Sequence, residues 1–306
     1  MPKLYCFGEV LRDLFPSGAK PGGVPMNVAI HAQNLGLESA VISAIGDDER
    51  GRKLLDILQE RYVNTRFITK SEHPTGTVMV EISNPSEVRY TIDEPSAWDF
   101  IGMPKISWEP GDLLLHGSLA TRNKDSYEAL KALRAQANTR VFDLNLRAPF
   151  IDSDRILELL EGTEIIKMND EEYELLAQWL SLDSNPELGF EAMYETFGTQ
   201  ELIVTKGGQG ALWVNSLGTL QSKIFPVTVK DTVGAGDSFL AAILFGISHL
   251  LEPQLTLDYA AAIGAMVASK EGANPRIKSL YRGFNPIMVT TSSASPGSAV
   301  RQGNSG

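Results

Sequence analysis

The chain has 306 residues, 43% of them hydrophobic, which excludes a wholly disordered protein and suits one large α/β domain or two smaller ones. Acidic residues outnumber basic ones by 38 to 27, and the formal charge of −11 disfavours a nucleic-acid partner. A single cysteine, Cys6, excludes an internal disulfide and a cysteine-based zinc site. The apolar opening run is too short for a signal peptide and no later run could span a bilayer, so we expect a cytoplasmic protein without a membrane partner.

Short apolar β-type runs alternate with longer helical patterns, which is typical of a mainly parallel sheet with crossover helices. The pattern predicts strands over 40–46, 112–116, 141–143 and 164–167, with helices over 49–62 and 123–136. Between Thr65 and Ile92, three β-type runs have no helix between them, and they predict a small antiparallel lid inserted in the main sheet. The stretch 287–306 is rich in Ser, Gly, Thr and Pro, which predicts a disordered tail.

The first candidate site is a glycine pair, Gly22 and Gly23, before a predicted helix that contains Asn27. Glycine lets a ligand approach the backbone. Asp13, just upstream, is an acceptor and the Asn27 amide both donates and accepts, so the set suits a polyhydroxyl molecule. Taken alone, the stretch is better explained as a loop followed by a surface asparagine.

Polar residues also follow two later strands. Asp143, Asn145 and Arg147 alternate, so they share one face at a ligand-binding strand end if the strand extends that far; a solvated strand end explains the spacing equally well. Asn169 and Glu172 lie three residues apart at the start of a helix and offer the oxygen ligands that Mg²⁺ takes. A capping box explains this second pair as well.

A glycine-rich turn, Thr205-Lys206-Gly207-Gly208-Gln209-Gly210, separates two β-type runs and predicts a hairpin. The turn is either purely structural or a contact for nucleotide phosphate. The sequence has no Gly-x-x-x-x-Gly-Lys-Ser/Thr loop, no Gly-x-Gly-x-x-Gly turn and no Gly-x-Ser-x-Gly elbow, and its four histidines lack ligand spacing. P-loop chemistry, hydride transfer and triad hydrolysis therefore lose support.

The most informative stretch is Asp231-Thr232-Val233-Gly234-Ala235-Gly236-Asp237-Ser238-Phe239, which precedes a helix that is apolar on almost every face. The first N–H groups of a buried helix attract anions. An acid beside them, Asp237, can take a proton from an attacking hydroxyl. The alternative is that Asp237 is a simple N-cap after a glycine turn.

Together, these motifs and the run Ile45–Gly51 resemble the ribokinase-like (PfkB) family of sugar kinases over about residues 3–277. Shorter runs at 97–99 and 117–122 are similar to its fructokinase branch. The resemblance implies a Rossmann-like three-layer α/β/α sandwich with a mainly parallel central sheet and a small antiparallel β-sheet lid. It also implies a domain over 1–286, a lid formed from about 10–16 and 65–100, and a homodimer joined through the lid.

The resemblance implies roles for individual residues. Asp237 is the general base, and the N–H groups of Gly234, Ala235 and Gly236 stabilise the developing charge. The implied sugar ligands are Asp13, Gly22, Gly23, Asn27, Tyr90 and Arg147. The implied ATP-site residues are Asn169, Thr205, Lys206, Gly207, Gly210, Gly236 and Ala261. Asn169 and Glu172 are the implied Mg²⁺ residues, which contact the ion through water. The positions that match a K⁺ site in the family are Asp231, Val233, Val267, Lys270 and Gly272.

Two departures from the family pattern bear on substrates. Ala261 stands where relatives often have an Asn near the adenine, which indicates looser nucleotide preference. The lid has Arg89-Tyr90-Thr91-Ile92-Asp93-Glu94 where relatives that act on the acidic sugar 2-keto-3-deoxygluconate tend to have Tyr-Tyr-Arg, so a neutral sugar fits better. We predict an ATP- and Mg²⁺-dependent fructokinase. The alternatives are a kinase for another small sugar, for 2-keto-3-deoxygluconate or for a nucleoside, and a sugar-binding regulator without turnover.

Overall fold

The computed structural model describes residues 2–16, 18–84 and 87–276, with the backbone alone over 81–84 and 87–90. The predicted tail at 287–306 lies outside these residues, as does the end of the predicted domain beyond residue 276. One compact unit extends to Pro275. Among the described residues, no helix combines the length and apolarity needed to cross a membrane.

The described strands and helices follow in chain order. The strands are β1 (Leu4–Phe7), β2 (Leu11–Phe15), β3 (Gly18–Gly22), β4 (Ser39–Gly46), β5 (Asn64–Ser71), β6 (Gly76–Asn84), β7 (Glu87–Ile92), β8 (Leu113–His116), β9 (Thr139–Asp143), β10 (Ile165–Asn169), β11 (Glu201–Thr205), β12 (Ala211–Asn215) and β13 (Gly218–Gln221). The helices are α1 (Val24–Leu35), α2 (Glu49–Glu60), α3 (Lys124–Arg134), α4 (Ser153–Leu160), α5 (Asp170–Leu180), α6 (Pro186–Phe197), α7 (Ala235–Ser248) and α8 (Pro253–Ala268).

The larger sheet has the order β13-β12-β11-β10-β9-β8-β1-β4-β5 within the described residues. From β11 to β5 every neighbouring pair is parallel, while β12 and β13 add an antiparallel edge. The strand order therefore reverses at β1, which lies between β4 and β8. Since ligands bind outside the carboxyl ends of parallel strands at such a reversal, the topology itself indicates where a site forms.

The core of the larger sheet is apolar and continuous. Phe7, Phe142 and Ile166, on three of its strands, are fully buried in one cluster with Trp98. The helices also pack against one another: α7 contacts both α1 and α8, and its run from Phe239 to Phe245 is buried. This mainly parallel sheet with packed helices confirms the predicted three-layer α/β/α sandwich.

A second, smaller sheet has the order β3-β2-β6-β7, with antiparallel pairs at its two ends and a parallel pair, β2 with β6, between them. The predicted lid range 65–100 is wrong at both ends. The strand β5 pairs with β4 in the larger sheet, because α2 returns the chain to a parallel neighbour. At the other end, Trp98 packs into the main core. In addition, β3 was not predicted, because Pro21 and its glycines weaken the strand signature.

Candidate active site

A cleft of about 850 Å³ opens where the carboxyl ends of the parallel strands face the small sheet and the start of α7. Nine of the residues implied by the family resemblance line it: Asp13, Gly23, Arg147, Asn169, Thr205, Val233, Gly234, Gly236 and Asp237. Two charged residues that were not predicted as site residues, Glu9 and Lys167, line it as well. The cleft thus brings together motifs that are more than 200 residues apart in the chain.

The start of α7 requires a glycine at position 234, because nothing larger fits there. Gly234 is the N-cap, with φ of 80°, and a Cβ there would lie 2.6 Å from backbone atoms of Ala273. The N–H of Ala235 donates to Thr232 O at 3.2 Å, so this group has a long hydrogen bond within the loop before α7. The N–H of Gly236 donates to no other described residue, which leaves it free for an anion.

Asp237 lies in the first turn of α7 and is 8% exposed. Its Oδ2 accepts a 2.8 Å hydrogen bond from Nδ2 of Asn27, and Oδ1 of Asn27 accepts one of 2.6 Å from Asn274. The N-cap alternative for Asp237 is therefore wrong, as is the alternative that Asn27 is a surface residue. Asn27 is buried and its side chain, bonded to Asp237, orients the acid.

The small sheet contributes Asp13, on β2. Gly22 is required beside it, since a Cβ there would overlap the Asp13 carboxylate, and Gly23 has a φ of 107°. Burial raises the pKa of Asp13 to about 6, although the guanidinium of Arg147 acts in the opposite sense. The side chain of Tyr90, the remaining predicted sugar ligand, lies outside the described residues.

Glu9 is a buried acid that the sequence analysis missed. It follows the carboxyl end of β1, is 3% exposed, and accepts a 3.2 Å bond from the N–H of Val24 at the start of α1. Its Oε2 has no hydrogen-bond partner among the described residues. Burial raises the pKa of Glu9 to about 7, against the lowering effect of its backbone donors and Arg147. An acid directly after a buried strand was the available signal.

The shared face of Asp143, Asn145 and Arg147 required a strand that extends to residue 147, and the strand ends earlier. The strand β9 ends at Asp143, and Asn145 leaves the extended conformation with φ of 40°. Asp143 is fully buried, and both its oxygens accept from Nζ of Lys167, at 2.9 and 3.2 Å. Arg147 is exposed at the rim of the cleft.

Asn169 and Glu172 form a complete capping box at the start of α5, so the capping interpretation is confirmed. The two carboxylate oxygens of Glu172 accept from the N–H groups of Leu146 and Asn169, at 2.8 and 2.9 Å. Each oxygen keeps a second lone pair. The pair therefore fits Mg²⁺ through intervening water, with Asn169 on the cleft wall and Glu172 behind it.

The predicted hairpin is confirmed, because β11 and β12 pair antiparallel. Thr205 ends β11 on the cleft wall, and the N–H of Lys206 donates to the carbonyl of Gly210 across the turn. Lys206, Gly207 and Gly210, with Ala261 on α8, lie outside the cleft lining.

Asp231 holds together the loop before α7. Its oxygens accept from the N–H groups of Val233 and Gly272, at 3.1 and 2.9 Å, and Nζ of Lys20 lies 3.4 Å away. The carbonyl of Val267 accepts from the N–H of Lys270. The residues expected around K⁺ are thus adjacent, and the ammonium of Lys20 forms a long ion pair with Asp231, their one carboxylate. No group of three or more His, Cys, Asp or Glu side chains suited to a metal occurs in the described ranges.

Comparison with known proteins identifies the family of the chain. Residues 3–279 match the profile of the pfkB family carbohydrate kinases. The chain is 29% identical to a fructokinase from Salmonella typhimurium over 299 residues, covering 89% of this chain and 94% of that protein. It is 28% identical to fructokinase-2 from Oryza sativa subsp. japonica over 304 residues, covering 89% of each.

Solved structures give the same result. The fructokinase from Vibrio cholerae O395, bound to fructose, ADP and calcium ion, superposes with a TM-score of 0.80 at 25% identity, covering 92% of this chain and 98% of that one. The fructokinase from Xylella fastidiosa with bound ATP has the same fold, with a TM-score of 0.80 at 23% identity over 94% of this chain and 99% of that one. The chain therefore belongs to the pfkB family and is a carbohydrate kinase.

Proposed function

We propose that this chain is an ATP- and Mg²⁺-dependent fructokinase that forms fructose 6-phosphate, with Asp237 as the general base. The observation that carries the proposal is the buried carboxylate of Asp237 at the start of α7, with Oδ2 bonded to Asn27. A buried acid that is oriented through one oxygen can receive a proton at the other. A protein that only bound sugar would not need such a base, which argues against the regulator alternative.

In the proposed reaction the primary hydroxyl of the sugar lies against Asp237, which accepts its proton as the oxygen attacks the γ-phosphate of ATP. The free N–H of Gly236 and the positive end of α7 stabilise charge on the phosphoryl oxygens. Asp13, across the cleft, accepts hydrogen bonds from other sugar hydroxyls. Positioning and electrostatics of this kind supply most of the rate in phosphoryl transfer.

Asn169 and Glu172 would hold Mg²⁺ through water, in keeping with the lone pairs that their capping box leaves free. When bound, the ion neutralises phosphate charge that Asp143, Asp237 and Glu172 would otherwise repel. K⁺ beside Asp231 is a separate part of the proposal. A K⁺ site beside Asp231 predicts a faster phosphorylation rate in K⁺ than in tetramethylammonium, and equal rates in the two salts would contradict the site.

The choice of a neutral sugar is supported by the acids Asp93 and Glu94 at the end of β7 and by the similarity to fructokinases. A carboxylated sugar would meet further negative charge from Asp13 and Asp237. We place the activity in the cytoplasm, where ATP is available. We also expect a homodimer through the small sheet, on which Met79 is 45% exposed; light scattering tests this, and a monomeric mass would contradict it.

The decisive experiment measures ADP release with ATP, Mg²⁺ and a panel of fructose, other neutral sugars, 2-keto-3-deoxygluconate and nucleosides. We expect fructose to give the highest kcat/KM and Asp237→Asn to reduce kcat by about 10²–10⁴-fold. Asp258→Asn is the matched control, since Asp258 is also 8% exposed but lies on α8 and pairs with Lys223 outside the cleft. ADP release with no member of the panel would contradict the kinase. Equal activity of the two variants would contradict the assigned base.

A further inference from the structure

Lys167 is a buried cation in the floor of the cleft whose presence the fold alone does not require. It lies on β10 between Ile166 and Met168, which are fully buried, and is itself 7% exposed. Its Nζ donates to both oxygens of Asp143 on the neighbouring strand. Well-packed apolar residues of similar size usually stabilise a core as well as a buried ion pair does. The pair is therefore poorly explained by stability.

The charges around Lys167 are unbalanced. Three carboxylates act electrostatically on the one ammonium, those of Asp143, Asp237 and Glu172. Burial lowers the pKa of Lys167, but these three acids outweigh burial, so that the net effect raises the pKa and the side chain stays protonated. Asp143 takes up two of the three directions in which the ammonium can donate. The third is available to a ligand.

The position of the ammonium relative to α7 indicates which ligand this is. An ideal Cβ built on Gly236 would lie 3.2 Å from Nζ of Lys167, so the ammonium faces the first turn of α7. Gly236 and Lys167 line the same cleft. A ligand group between Gly236 and Lys167 would face both the ammonium and the positive end of α7, and both favour a negatively charged group. The absence of a side chain at Gly236 keeps open the space in front of the ammonium.

We infer that Lys167 is a further catalytic residue of the proposed kinase, whose ammonium donates a hydrogen bond to an oxygen of the phosphoryl group in transfer. The inference rests on the proposed function. As the bond from the sugar oxygen to the γ-phosphorus forms, the bond from that phosphorus to the β–γ bridging oxygen breaks and ADP leaves. The proton of the sugar hydroxyl goes to Asp237, and Lys167 keeps its own proton throughout. Asp143 is then a positioning residue that holds the ammonium in place.

The test replaces the whole pair, because Lys167→Met alone leaves Asp143 as an unpaired buried charge and could unfold the protein. In Lys167→Met with Asp143→Leu both groups become apolar at similar size. Lys223→Met is the matched control, since Lys223 also pairs with an aspartate, Asp258, but is exposed outside the cleft. Circular dichroism and thermal unfolding confirm that each variant is folded.

For the folded double variant we expect kcat to fall by about 10²–10³-fold, as when one charge-stabilising donor is removed, with little change in KM for the sugar. A second measurement compares binding of ADP alone with binding of ADP plus aluminium fluoride, a mimic of the phosphoryl group, in the presence of sugar. The tightening that aluminium fluoride gives to the wild type should be lost in the double variant and kept in Lys223→Met.

A structural role for the pair would leave the tightening by aluminium fluoride intact, and that result would overturn the inference. A folded double variant with kcat close to wild type would overturn it too. If the wild type itself phosphorylates no sugar of the panel, it is the proposed function that fails. The two failures are thus distinguished by whether the wild-type protein is active.

Discussion

The hydrogen bonds of Asn27 allow a quantitative prediction. Replacing Asn27 by Ala removes the bond to the carboxylate of Asp237 and the bond received from Asn274. A bond to a charged acceptor contributes about 1.5–3 kcal/mol and a neutral one about 1 kcal/mol. We therefore expect Asn27→Ala to lower the free energy of unfolding by about 2.5–4 kcal/mol.

The loss is measured by urea unfolding at pH 7.5, followed by tryptophan fluorescence. Asn138→Ala is the control, because Asn138 is exposed and makes a single bond, to the carbonyl of Glu109. It should change stability by less than about 0.5 kcal/mol. The same Asn27 variant should lose about 10–100-fold in kcat, since Asp237 is no longer held in one orientation. Equal stabilities of the two variants would refute the assignment of Asn27 as the partner that fixes the acid.

Three further predictions concern the surroundings of the cleft. Gly234→Ala should lower stability at least twice as much as Gly36→Ala. Both glycines have positive φ, which costs an alanine about 1–2 kcal/mol, but only at Gly234 would the new Cβ also meet other atoms. Equal melting temperatures of the two variants would contradict this. The pKa of Glu9 is near 4.3 in the unfolded chain and about 7 in the folded protein, so the unfolded chain loses its proton first as pH rises. The contribution of Glu9 to the free energy of unfolding therefore falls by about 3.5 kcal/mol across that window. Glu9→Gln should remove this slope in urea unfolding from pH 5 to 8, and parallel pH profiles would count against it. Lys20→Gln should increase the stimulation by K⁺ over tetramethylammonium, since an ammonium no longer lies beside Asp231; an unchanged stimulation would show that the two cations do not compete.

Much of the architecture could be predicted from local pattern. The alternation of buried strands and amphipathic helices indicated the parallel sheet, and the apolar run after Asp237 indicated a buried helix. The edge strand β5 was assigned to the wrong sheet because its alternating residues suit either edge. Only the pairing with β4, set by the crossover through α2, decides between the two sheets. The hydrophobic periodicity of a segment indicates that it forms a strand, whereas the sheet to which the strand belongs depends on the strand that pairs with it.

The site was predictable to the extent that glycine and acid motifs mark it. Lys167 was missed because a lysine within an apolar strand has no local signature. Its role depends on Asp143, which lies 24 residues earlier and is aligned with it only by the register of β9 and β10. Glu9 did have a local signal, an acid after a buried strand, but its burial results from the packing of α1 over β1, which the local pattern does not give. Asn27 and Asp237 were both predicted as site residues, but the hydrogen bond between them was not.

The bond between Asn27 and Asp237 joins residues 210 positions apart, and the bond from Asn274 to Asn27 spans 247. During synthesis α1 leaves the ribosome early, whereas Asp237 and Asn274, the two partners of Asn27, emerge more than 200 residues later. A nascent chain that has already formed the first strands of the larger sheet therefore still lacks an oriented acid. Chains that terminate before residue 274 should be inactive even when they fold, so that kinase activity reports completed translation of this domain.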